Sequence, residues 1–112
     1  MDKKILVIDD EHLIVMTVER ALSKIGYCVV PATDRQSFLS RVNTGPFDLV
    51  IMDLNMADLT AEEIRGKVLG ASPESKFLIM SGSNYDSPGF FIQKPFRIDD
   101  LRKLVGEILG VN

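Results

Sequence analysis

Asp9 and Asp10 follow the apolar run ILVI, and Asp53 follows LVIM. Ser81 and Gly82 come directly after FLIM, and Lys94 stands just beyond FFI. Gathered together, these residues could form a phosphoryl-transfer pocket. The acids would hold a hard, oxygen-seeking ion such as Mg²⁺, Asp53 would be the nucleophilic carboxylate, Ser81 a hydrogen-bond donor and Lys94 a fixed cation. Two unit charges about 5 Å apart repel by roughly 3 kcal/mol at an effective dielectric near 20. Three carboxylates brought together therefore require a counter-cation or raised pKa values. Taken one at a time the same residues have plainer readings: Asp9 as a helix cap, Asp10 as a solvated charge, Ser81 as a turn residue and Lys94 as a surface charge.

What decides between these readings is where the chain places the apolar runs. Ile5 to Ile8 form a continuous apolar run, the pattern of a strand buried on both faces. From Glu11 to Ile25, Ile14, Val18, Ala21, Leu22 and Ile25 recur at helical spacing, with Gly26 placed to stop the helix. YCVV reads as the second strand. The pattern Thr33-x-x-Gln36 then predicts a capped short helix with Phe38, Leu39 and Val42, ended at Gly45-Pro46. FDLVIM is the third strand, and Thr60-x-x-Glu63 opens a helix carrying Ile64, Val68 and Leu69, weakened by Gly66. FLIM and FFI are strands four and five. The last helix aligns Ile98, Leu101, Leu104, Val105 and Ile108 on one face.

Alternating strands and helices, with strands apolar throughout, predict an α/β domain: one flavodoxin-like parallel sheet of five strands in the order 2-1-3-4-5, covered by helices on both sides. A parallel sheet directs every strand's carboxyl end to one edge, and the ligand crevice of this fold lies beyond strands one and three. Asp9, Asp10, Asp53, Ser81 and Lys94 all fall at that edge.

The chain of 112 residues fits a single domain, residues 1–112, and its 46% hydrophobic and 26% charged content is ordinary for a globular fold. A net charge of −3, a pI near 5.1 and the absence of any basic run disfavour nucleic acid or an anionic membrane surface as partner. Cys28 is the one cysteine, so an intrachain disulfide is impossible and a reducing cytoplasm is the expected location. Its apolar neighbours predict a buried, inert thiol. MDKK runs straight into a short strand, which does not fit a signal peptide, and no apolar stretch approaches a membrane span.

VIDDEH, VIMDLNM, IMSG and KPF, in this order and at these strand ends, make the chain similar to the receiver domains of two-component response regulators over essentially its whole length. The resemblance implies that Asp53 is the phosphoacceptor, taking a phosphoryl group from a histidine kinase or phosphotransfer protein as an acyl phosphate. It implies Mg²⁺ bound by Asp10, Asp53 and the backbone carbonyl of Asn55, with Asp9 assisting through water. Lys94 would neutralise phosphoryl oxygens, and the backbone amides of Asn55 and Gly82 would cradle the phosphate. Ser81 and Phe91 would form the coupled switch, although FFI also reads as a buried strand in which Phe91 is simply core. His12 reads as a surface residue at a helix start, since Mg²⁺ prefers oxygen. Neither Asn55 nor Ser83 is bulky enough to shut out water, so a short-lived phosphorylated state is expected.

The sequence departs from that family between strands four and five. SGSNYDSPG, residues 81–89, cannot hold the usual fourth helix and its turns, because Asn84, Asp86, Ser87, Pro88 and Gly89 are loop formers. An extended loop or single turn is expected, with Tyr85, neighbouring side chains or another molecule covering the exposed sheet face. That helix belongs to the surface through which receivers signal and dimerise, so the downstream protein and oligomeric state stay open. Ala57 and Ala61 stand where the family usually has Pro and Gly. Two further readings remain: a docking module that is never phosphorylated, and a small aspartyl phosphohydrolase. The second lacks an acid two residues after Asp53, where Asn55 stands.

Overall fold

Five parallel strands carry the apolar runs: β1 (Lys4–Ile8), β2 (Cys28–Ala32), β3 (Leu49–Asp53), β4 (Lys76–Ser81) and β5 (Phe90–Gln93). Their order is β2-β1-β3-β4-β5, as the alternation predicts. The computed structural model describes residues 2–83 and 89–111. All five residues of β3, and Ile5 to Ile8 of β1, are buried, because these central strands are covered on both faces.

Among the described residues four helices supply the cover: α1 (His12–Ser23), α2 (Arg35–Arg41), α3 (Ala61–Ala71) and α4 (Ile98–Leu109), with a 3-10 turn at Val42–Thr44. On one face α1 sets Val15, Val18 and Leu22, and α4 sets Leu101, Val105 and Ile108, against Ile5, Val7, Leu49, Ile51, Leu78 and Met80. On the other, Phe38 of α2 and Ile64 and Val68 of α3 pack on Leu6, Ile8, Val50, Met52 and Ile79. The alternation along each strand thus feeds two separate cores. Deleting a side chain such as Phe38 from either would cost about 3–5 kcal/mol.

Several local expectations are corrected. Helix α1 begins at His12 and stops at Ser23, so Ile25 lies in the following turn and is exposed; Gly26 takes the positive φ of 104° that ends this segment. Helix α2 is capped by Asp34 rather than Thr33: the Asp34 carboxylate accepts from Ser37 N at 2.7 Å, and Ser37 Oγ accepts from Asp34 N at 3.1 Å. At α3 the predicted Thr60 cap is present, accepting from Glu63 N at 3.1 Å. The Glu63 carboxylate, however, turns to Arg35 on α2, so only half of the box forms. Leu39 and Leu69 point outward. Cys28 is exposed, because it is the first residue of β2, which lies at the sheet edge; Pro31 is tolerated in the same strand for that reason.

The second face continues across the β4–β5 end. Phe77 and Phe91 are half-buried there, and the Arg65 guanidinium of α3 lies over the Phe77 ring at 5.0 Å. The expected loop at 81–89, with Tyr85 as cover, falls mostly on residues 84–88, outside the described residues. The described residues of that segment, Ser81 to Ser83 and Gly89, are not helical.

Candidate functional site

The parallel register brings the carboxyl ends of β1, β3, β4 and β5 to one edge, where Asp9 follows β1, Asp53 and Ser81 end β3 and β4, and Lys94 follows β5. Asp9, Asp10 and Asp53 each offer a carboxylate oxygen, and the three oxygens lie within 4.8 Å of one another. Asp9 and Asp53 are buried and Asp10 is exposed. Beside them opens a cleft of about 490 Å³ bordered by Asp10, Glu11, Asp53, Asn55, Gly82 and Lys94.

Each buried acid is partly satisfied by its own chain. Asp9 Oδ1 accepts from Glu11 N at 3.0 Å, the bond that starts the turn into α1, and Asp9 Oδ2 accepts from Lys94 Nζ at 2.6 Å. Asp53 Oδ1 receives only a long bond from Asn55 N, 3.4 Å, and Asp53 Oδ2 lies 3.7 Å from Lys94 Nζ. Asp53 is therefore the less committed of the two. The backbone amide of Lys94 donates to Ser81 O at 2.8 Å, which ties the end of β5 to the end of β4 and fixes where the Lys94 stem begins. The Lys94–Pro95 peptide is cis.

Burial pushes the Asp9 carboxyl above its ordinary range, while the Lys94 ammonium and the Glu11 amide pull it back and the Asp53 charge pushes it up again. For Lys94, partial burial works against the ammonium, but the hydrogen bond and charge of Asp9, followed by the charges of Asp53 and Glu11, outweigh it, and its pKa is raised. Lys94 is cationic at neutral pH. Ser81 is buried, and its Oγ accepts from Ser83 N at 3.2 Å. Gly82 has no positive φ, and a Cβ there would meet nothing within 4 Å, so the fold itself does not demand glycine.

Asp10, Asp53, Asn55, Gly82 and Lys94 thus border one cleft, Asp9 lies behind it in contact with Lys94, and Ser81 ends the neighbouring strand. Phe91 is half-buried against the second core, in register with Ile79, two residues before the strand ends that hold the site. His12 is exposed at the start of α1. The residue that sequence reasoning missed is Glu11: its Oε1 lies 3.4 Å from Lys94 Nζ, giving that ammonium a third carboxylate. The only signal was a third acid in DDEH.

The donor set is oxygen only, two buried carboxylates and one exposed, which suits a hard divalent ion such as Mg²⁺. The uneven burial leaves an open side through which an ion and a phosphate could enter.

Residues 5–90 match the response regulator receiver domain family. Among curated relatives, the response regulator receiver protein CpdR of Brucella abortus is 28% identical over 115 residues, covering 95% of this chain and 93% of that protein. The alkaline phosphatase synthesis transcriptional regulatory protein PhoP of Bacillus subtilis is 38% identical over 64 residues, 57% of this chain but 27% of PhoP. The chain spans about a quarter of the length of PhoP and of the Rhizobium meliloti regulator NtrC, 27% and 24%. Among solved structures, a CheY-like receiver domain protein from Methanospirillum hungatei superposes with a TM-score of 0.83 at 26% identity, covering 98% of this chain and 95% of that one. Chemotaxis protein CheY4 of Vibrio cholerae superposes at 0.84 with 25% identity, covering 97% and 100%. The chain belongs to the response regulator receiver domain family of two-component signal transduction. The family match stops at residue 90, short of Lys94, but the structural superpositions run almost the full length. Among the described residues no helix is long and apolar enough to cross a membrane.

Proposed function

We propose that this receiver is phosphorylated on Asp53 by a phosphohistidine donor, carried by a histidine kinase or a phosphotransfer protein, and that the modification changes its contacts with a downstream protein in the cytoplasm. The observation that carries this reading is the cluster of Asp9, Asp10 and Asp53 oxygens within 4.8 Å, with Lys94 in contact with both buried acids. A protein that only docks has no use for such repulsion.

In the step itself an Asp53 oxygen forms a P–O bond as the donor's P–N bond breaks, and the imidazole leaves. Asp9, Asp10, Asp53 and the Asn55 carbonyl would hold Mg²⁺, which when bound offsets the carboxylate repulsion and draws charge from the phosphoryl oxygens. Asp53 is suited to act as nucleophile because its own bonds are long. Lys94 would extend its ammonium toward the phosphoryl oxygens, Ser81 would turn its hydroxyl to them, and the Asn55 and Gly82 amides would donate from the cleft rim. Reorientation of Ser81 is the event that would be passed to Phe91. Beyond Mg²⁺-dependent self-phosphorylation and hydrolysis of its own acyl phosphate, the chain is not an enzyme.

The test is exposure to acetyl phosphate, or to beryllofluoride, with Mg²⁺, against Asp53→Ala. Intact-mass gain on wild type alone, with beryllofluoride-induced amide shifts around the cleft, is the expected result. Unchanged mass and spectra would instead support a phosphorylation-independent docking module, the alternative raised by the short β4–β5 connection. Turnover of many equivalents of an organic phosphate would point to a hydrolase.

A further inference from the structure

Among the described residues, Glu11 is the one acid at the site that the proposed chemistry leaves without a role. Its backbone is pinned at both ends, the amide to Asp9 Oδ1 at 3.0 Å and the carbonyl accepting from Val15 N at 3.2 Å, so its side chain starts from a fixed point on the cleft border. That side chain is 63% exposed, yet its Oε1 accepts from Lys94 Nζ at 3.4 Å. Lys94 therefore faces three carboxylates: Asp9 at 2.6 Å, Glu11 at 3.4 Å and Asp53 at 3.7 Å.

We infer that Glu11 is a specificity-determining residue, which slows phosphorylation of Asp53 by small, free, anionic phosphodonors. The inference rests on the reading of Asp53 as phosphoacceptor. Two effects act in the same direction. Glu11 occupies an ammonium hydrogen that the phosphoryl oxygens need, and of the two hydrogen bonds made by the Lys94 ammonium this is the longer and more exposed, hence the one that must open. Glu11 also places a negative charge at the rim across which a dianion must pass. Two unit charges roughly 6 Å apart in a water-like dielectric repel enough to change a rate about threefold. A dianion would feel about tenfold. The same charge attracts Mg²⁺, so Glu11 favours the cation while opposing the free donor.

The test compares wild type, Glu11→Gln and Glu11→Lys for the rate of acetyl phosphate mass gain on Asp53 at saturating Mg²⁺ and low salt. Glu11→Gln is expected to react about 3- to 10-fold faster and Glu11→Lys faster again. In about 1 M KCl, where the Debye length is near 3 Å, the three rates should converge to within about twofold. Phosphoramidate, which carries less negative charge, should show a smaller increase. Mg²⁺ affinity, read from amide shifts without any phosphodonor, should fall about two- to fivefold in Glu11→Gln. A purely structural role for Glu11 would produce neither the grading with charge nor the convergence in salt. Equal low-salt rates for wild type and Glu11→Gln, or an increase that persists in high salt, would overturn the assignment while leaving Asp53 as phosphoacceptor. A wild type that gains no mass at all would overturn both.

Discussion

The Lys94 ammonium lies 2.6 Å from Asp9 Oδ2 and 3.7 Å from Asp53 Oδ2, so it is bound most closely to the carboxylate that is fully buried rather than to the proposed nucleophile. Asp9 has given up all contact with solvent, and Lys94 supplies the only positive side chain within salt-bridge distance of it among the described residues. Burial of the pair is uneven, with the Lys94 side chain 12% exposed and that of Asp9 not at all. The contact links the residue after β5 to the residue after β1 across the ends of β3 and β4, which lie between them.

Replacing Lys94 with Met keeps most of the stem but strands the Asp9 charge. Removing one member of a buried pair costs about 3–5 kcal/mol, and the residual exposure of Lys94 moves the expectation to roughly 2–3 kcal/mol. Urea unfolding of Lys94→Met in metal-free buffer should show that loss, and added Mg²⁺ should recover part of it. A variant as stable as wild type would mean that the pair contributes nothing to the fold.

Asp53→Asn should do the opposite in metal-free buffer. Asp53 has two like charges with oxygens within 4.8 Å and one opposite charge at 3.7 Å, so repulsion outweighs attraction. Neutralising it is expected to stabilise the fold by about 1–2 kcal/mol, while abolishing acetyl phosphate labelling. The urea midpoint of the variant, measured with and without Mg²⁺, checks this: its advantage should shrink as the ion relieves the wild type.

Asp9, Asp53, Ser81 and Lys94 were legible in the sequence because each ends or closely follows an unbroken apolar run. Such runs locate buried strands, and a parallel sheet sends all their carboxyl ends to one edge. The Asp34 cap was harder to read. Thr33 and Asp34 are both good cap residues, and the choice fell to Asp34 because Ser37, three residues on, donates its amide to the Asp34 carboxylate while its hydroxyl oxygen accepts from the Asp34 backbone N–H. Cys28 was misjudged because its neighbours are apolar on average, whereas its exposure follows from being the first residue of an edge strand. The Glu11–Lys94 contact joins residues 83 apart through two side chains, and no local pattern encodes it.

The Asp34 cap also predicts a pH effect. The hydrogen bonds from Ser37 to its carboxylate hold its pKa below the ordinary 3.8. A carboxylate with a depressed folded pKa contributes stability that is present above 3.8 and is lost as pH falls through the lower, folded value. The difference in urea midpoint between wild type and Asp34→Ala should therefore be largest near neutral pH and narrow below 3.8. A difference that stays constant across that range would show that ionisation of the cap is not involved.

The lifetime of the phosphorylated state follows from what surrounds Asp53. Asn55 and Ser83 stand exposed on the cleft, two residues beyond Asp53 and Ser81, and neither is large enough to cover an acyl phosphate. As far as the described residues go, water would therefore reach the phosphorus of an acyl phosphate on Asp53 along the same open side that would admit the donor. The labelled protein, freed of excess acetyl phosphate and held in Mg²⁺ buffer, should lose its added mass within minutes to a few hours. Replacing Ser83 with Leu, which places a branched apolar group on the rim without touching the acids or Lys94, should lengthen that time severalfold. Label that survives for many hours in wild type, or a Ser83→Leu variant that decays at the wild-type rate, would mean that solvent access at this rim does not set the lifetime.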